Sequence, residues 1–103
     1  MMKKLLALTL LAIAASAGAQ TAAGVATLER RSTTTEPLVV NGMLWRCAGS
    51  TCTGPASGDR FGDLRTCKEL ARKVGAVATF SSRRGALSAE DAVKCNARAA
   101  QPR

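Results

Sequence analysis

The sequence predicts a small α+β domain: an antiparallel sheet built around a hairpin, one or two helices packed on it, and disulfides holding it together. Three observations predict it. An Asn-Gly pair stands between two short apolar runs, two stretches carry helix-capping residues ahead of apolar residues at helical spacing, and four cysteines lie in a chain of 103 residues. A domain of this size buries a modest fraction of its surface and usually needs a covalent or metal staple. Its only aromatics, Trp45, Phe61 and Phe80, are few for a core.

The N-terminal segment reads separately from the domain. Lys3 and Lys4 form a positive start, Leu5 to Ala15 is an uncharged apolar run, and small residues follow. Ala15-Ser16-Ala17 and Ala17-Gly18-Ala19 both fit the small-x-small cleavage pattern. Residues 1–19 are therefore expected to be a cleaved signal peptide, with the cut after Ala19 favoured over one after Ala17. The apolar run holds about a dozen residues, where a membrane span takes roughly 20. No Cys stands at the cleavage point to carry a lipid. The design is bacterial in style, so the expected destination is the periplasm or the medium, with no membrane span after processing.

Residues 20–36 are expected to be a flexible N-terminal segment, with Val25–Leu28 as a first strand and a polar, Thr-rich loop from Arg30 to Glu36. The domain proper is expected over 37–100, with 101–103 as a tail. Within it, Asn41-Gly42 separates Leu38-Val39-Val40 from Met43-Leu44-Trp45. Both turn residues tolerate the positive φ of a type I′ turn, so a hairpin is predicted with Val40 opposite Met43 and Leu38 opposite Trp45. Alternation then puts Leu38, Val40, Met43, Trp45 and Cys47 on one face. A second reversal at Ala48-Gly49-Ser50-Thr51 returns the chain.

A Gly/Pro/Ser linker from Thr53 to Gly62 leads to a helix expected to be capped by Asp63 and to run to Val74, where Gly75 ends it. Leu64, Cys67, Leu70, Ala71 and Val74 form its apolar stripe. Val77 to Ser81 alternates as a strand, with Val77, Thr79 and Ser81 on one face and Ala78 and an inward Phe80 on the other. Arg83-Arg84-Gly85 is a turn. Ser88 starts a second helix, with Asp91 three residues on as a variant capping box and Ala92, Cys95 and Ala99 on a shared face.

Four cysteines in a short exported chain read as two disulfides, with three pairings available. The second reversal sets Cys52 opposite Cys47, and both helical cysteines face the core. Cys47–Cys52 and Cys67–Cys95 are therefore the expected bridges. A zinc site would show paired C-x₂–₄-C knuckles, and a thiol oxidoreductase would show C-x-x-C at a helix start. Cys47 and Cys52 have four residues between them, but the other cysteines stand singly after gaps of 14 and 27, and no C-x-x-C is present.

The residues Trp45-Arg46-Cys47, Cys52, Cys67 through Leu70-Ala71-Arg72-Lys73-Val74-Gly75, Phe80 and Cys95-Asn96 together form a recognisable pattern. It resembles a group of small exported four-cysteine proteins of proteobacteria with no assigned function, over roughly residues 38 to 96. The resemblance implies an exported four-cysteine domain and brings no catalytic residue with it.

The chain contains no His, which removes the usual general base, the usual metal ligand and Ser-His-Asp triads. Its acids have structural explanations: Glu90 and Asp91 suit a helix N-terminus, and Glu69 can pair with Lys73 at i, i+4. Glu29, Glu36 and Asp59 fall in expected loops. Trp45 shares a strand face with Cys47, which marks it as core and as cover for that disulfide. No catalytic, metal or cofactor site is predicted.

Charge is the one feature that points toward a partner. After residue 19 remain 13 of the 15 Lys and Arg and all 7 Asp and Glu, a net charge of +6. The doublets Arg30-Arg31, Arg72-Lys73 and Arg83-Arg84 form a candidate cationic surface, joined by Arg46, Arg60, Arg65, Lys68, Lys94 and Arg98. Such a surface attracts phosphates, anionic lipid and acidic polymers, and its competing explanation is solubility. Nucleic acid is disfavoured, because neither exposed aromatics for stacking nor a basic stripe along one helix is evident. The sequence thus leads us to expect an exported, non-enzymatic binding or structural domain, with an acidic envelope component or acidic protein as partner. A small enzyme using loop groups such as Asp59 or Ser57, or a thiol-redox or metal protein, are the alternatives.

Overall fold

Asn41 and Gly42 both take positive φ, 51° and 78°, and close the expected tight turn. It joins β2 (Leu38–Val40) to β3 (Met43–Ala48), with Leu38 opposite Trp45 and Val40 opposite Met43. The computed structural model describes residues 24–101; the expected signal peptide lies outside them. Gly49, at φ 65°, turns the chain again into β4 (Thr51–Gly54), which sets Cys52 directly across from Cys47. Both bridges, Cys47–Cys52 and Cys67–Cys95, are formed.

The sheet has six strands in the order β2-β3-β4-β1-β5-β6, all antiparallel to their neighbours. Its central strand, β1 (Gly24–Leu28), pairs with β4 on one side and with β5 (Val77–Ser82) on the other. Ala26 and Leu28 are buried. β1, expected as a first strand within residues 20–36, belongs to the core of the domain. Because β4 and β5 both run antiparallel to β1, they run parallel to each other. α1 (Arg60–Val74) carries the crossover between them.

β5 departs from simple alternation. Leu28 pairs with Val77 while Thr27 pairs with Thr79, so Ala78 is an extra residue in a bulge. The bulge turns both Val77 and Phe80 inward, where unbroken alternation would put them on opposite faces. A short return strand, β6 (Gly85–Ala86), closes the sheet at its far edge.

One face of the sheet carries the core, and α1 and α2 (Ala89–Cys95) lie on it. Trp45, Val40, Leu70 and the sulfurs of both bridges are buried there. The indole stacks on Phe80 with ring centroids 5.9 Å apart and donates its N–H to the Pro55 carbonyl at 3.0 Å. Met43 shares that face but stands at the hairpin tip, half exposed. The opposite face is open to solvent and carries Thr51, Thr27 and Thr79 in one cross-strand row; the last two hydroxyls hydrogen-bond to each other.

α1 starts earlier than the sequence suggests. Asp59, extended at φ −126°, is its N-cap and accepts from the Gly62 N–H at 2.7 Å. Asp63, the expected cap, is buried inside the first turn. Its carboxylate accepts from the Gly58 N–H at 3.1 Å and from the Ser82 hydroxyl at 2.6 Å, tying the helix start to the end of β5. Gly75 ends the helix at φ 109°, as its position before β5 requires. Ser88 caps α2 by accepting from the Asp91 N–H at 3.1 Å.

Candidate functional site

Burial of Cys67, Leu70 and Ala71 against the sheet fixes the rotation of α1 and turns Arg65, Lys68 and Arg72 outward as one stripe at i, i+3 and i+7. Three ties hold α2 alongside. The Cys67–Cys95 bridge joins the middle of α1 to the last residue of α2. At their N-terminal ends, Arg60 donates from Nε and Nη2 to the two Asp91 oxygens at 3.0 and 3.1 Å. Beyond the last turn of α2, the Asn96 side chain accepts from the Val77 N–H at 2.7 Å and donates to the Val77 carbonyl at 2.9 Å.

Between the helices lies a cleft of about 410 Å³. Arg65, Lys68 and Arg72 line it from α1, and Lys94 and Arg98 line it from the α2 side. Among the described residues its single carboxylate is Glu69, and Cys95 and Ala97 complete the lining. Glu69 is engaged by Arg72 at 2.6 Å and by Lys73 at 3.6 Å, the latter being the expected i, i+4 pair. Lys94 reaches Glu90 at 3.9 Å. Among the described residues, Arg65, Lys68 and Arg98 have no ion-pair partner. Guanidinium groups in such a setting accept planar or tetrahedral oxyanions through paired N–H donors.

The Arg60–Asp91 pair borders a second concavity, with Arg84 and Ser88 beside it. The Arg60 hydrogen bonds hold the Asp91 carboxyl below its ordinary value, against the opposing effect of burial, and Lys94 and Arg84 add to the lowering. Asp91 in turn raises Arg60. Both groups are thus committed to their charged forms, and the pair fastens helix to helix. Asp59 and Ser57, the loop groups considered for chemistry, lie at the start of α1, where Asp59 serves as the cap.

The three basic doublets are not gathered on one surface. Arg30-Arg31 follow Glu29, whose N–H bonds the Ala76 carbonyl at the end of the sheet where α1 finishes. Arg83-Arg84 turn at the other end of β5, with Arg83 against Gly58 just ahead of α1. Arg72 alone among the six reaches the cleft. The other four cleft cations stand singly in the sequence. Their signal is spacing on a helix rather than adjacency in the chain.

Among the described residues no cluster of His, Cys, Asp or Glu is arranged to hold a metal ion, and no helix is long and apolar enough to cross a membrane. Comparison with curated proteins and with solved structures finds no match to this chain. A family model does match, over residues 7–97, and this span takes in the sheet, both disulfides and nearly all of the cleft. The chain belongs to DUF8200, a family of unknown function.

Proposed function

We propose that this domain is an exported, non-enzymatic binding module of the bacterial envelope, and that the cleft between α1 and α2 is its working surface for an acidic partner. The observation that carries this reading is the surplus of charge there: among the described residues, five cations, three of them without an ion-pair partner, face one carboxylate that is already engaged. Two disulfides suit an oxidising compartment. The Lys3-Lys4 start, the apolar run and the Ala17-Gly18-Ala19 site supply the route there, with periplasm or medium as the destination.

The test uses the full chain, exported by its own N-terminal segment, recovered from the envelope or medium and checked by intact mass for a start at Gln20. Its binding to polyphosphate is titrated at rising salt. Binding should weaken steeply with salt, and Arg65→Ala/Lys68→Ala/Arg98→Ala should lower affinity about tenfold or more. The matched variant Arg30→Ala/Arg31→Ala should have a far smaller effect. Equal losses from the two variants, or no binding at all, would reject the cleft as the site.

A further inference from the structure

We propose that the acidic partner is the surface of an anionic lipid bilayer, met by α1 lying along it with Phe61 as an apolar anchor. This rests on the cleft reading above and names its partner. Phe61 is 74% exposed, the most exposed of the large apolar side chains among the described residues, and it takes no part in the core. It lies four, seven and eleven residues before Arg65, Lys68 and Arg72, so all four share one stripe of α1. The span from Phe61 to Arg72 is about 16 Å along the helix axis.

The ring is supported where it stands. The Arg60 guanidinium lies over it, 5.6 Å from the centroid, and is itself fixed by its two hydrogen bonds to Asp91.

A soluble polyanion would engage the cations and leave Phe61 in water. A nucleic acid could stack on Phe61, but one aromatic at the end of a stripe gives no succession of stacking platforms. Anionic headgroups above an acyl boundary use both kinds of group: basic residues near the charged surface, and apolar side chains entering the interface.

The exported full chain is tested with phosphatidylcholine vesicles with and without phosphatidylglycerol, with polyphosphate, and with a single-stranded oligonucleotide. Phosphatidylglycerol should raise partitioning about tenfold or more. Phe61→Ser should lower vesicle partitioning about fivefold to tenfold while leaving polyphosphate affinity unchanged. Arg65→Ala/Lys68→Ala should weaken both. Exposure of Phe61 makes the variant's folding independent of the ring, and its circular dichroism and two intact disulfides verify this. Polyphosphate binding without vesicle binding, or vesicle binding indifferent to Phe61→Ser, overturns the lipid assignment and leaves the cleft reading standing. Oligonucleotide binding that is tighter than vesicle binding and lost in Phe61→Ser overturns it in favour of nucleic acid. Failure to bind any of the three overturns both.

Discussion

Trp45 lies flat against the backbone of Gly54 on the neighbouring strand, and a Cβ at residue 54 would press into the face of the indole's five-membered ring, closer than non-bonded atoms approach. The far edge of the same ring reaches Gly24 on β1, where an added Cβ would come within 2.9 Å of it. Two glycines in adjacent strands thus make the shelf on which the one Trp rests. Gly54→Ala is expected to cost about 2–3 kcal/mol, because neither the strand nor the packed ring can give way. Urea denaturation should show the loss, and in a Trp45→Leu background the same change should cost much less, which a double-mutant cycle would detect.

The two disulfides should be unequal in worth. The Cys67–Cys95 bridge closes a separation of 28 residues and Cys47–Cys52 one of 5. The chain-entropy relation puts their contributions at about 3–4 and about 2 kcal/mol. Thermal unfolding of Cys67→Ala/Cys95→Ala and of Cys47→Ala/Cys52→Ala should rank them in that order. The first variant should also lose polyphosphate affinity, since that bridge holds the two sides of the cleft together.

Asn96 acts on the start of β5 as a neighbouring strand would, by taking the N–H and supplying a donor to the carbonyl of one residue, Val77. Asn96→Ala leaves both backbone groups without these partners. A loss of about 2 kcal/mol is expected, read as faster amide hydrogen exchange at Val77 as well as a lower denaturation midpoint. Asn96→Asp should rescue only the half of the clamp that accepts.

Acid should loosen the junction between the helices. Asp91 holds its proton less tightly in the folded chain than its ordinary value of 3.8. The stabilisation from the Arg60 pair is therefore complete above that value and is lost as pH falls through the lowered one. Thermal unfolding followed from neutral pH down to about pH 2 should show a decline that Asp91→Asn makes shallower, with Asp91→Asn already less stable at neutral pH.

The features legible in the sequence were those set by a few adjacent residues. Asn41-Gly42 defined a turn, the turn defined a register, and the register placed Cys52 against Cys47. Ser88 announced α2 in the same way. Non-local choices were not legible. Nothing in Val25 to Leu28 states that its neighbours lie beyond residues 50 and 76, and nothing in Val77 to Ser82 marks Ala78 as the bulged residue. Asp59 and Asp63 are both plausible caps by type, and only the position of Ser82 decides which is drawn inward. The cleft is hidden from a search for adjacent basic residues, because its cations are set apart by helical spacing. The run Phe61, Arg65, Lys68, Arg72 stands in the sequence as an i, i+4, i+7, i+11 stripe.

The central place of β1 also sets an order of events in folding. The hairpins β2-β3-β4 and β5-β6 can each form from residues close in sequence, but they share no edge. Among the described residues only β1, the earliest of the six strands in the chain, joins them, through partners up to 56 residues away. In a chain delivered N-terminus first, β1 arrives before either neighbour exists and must wait, unpaired, for both. Its docking is the slow, closing step, and until it occurs the open edges of β4 and β5 are exposed to pairing with other chains.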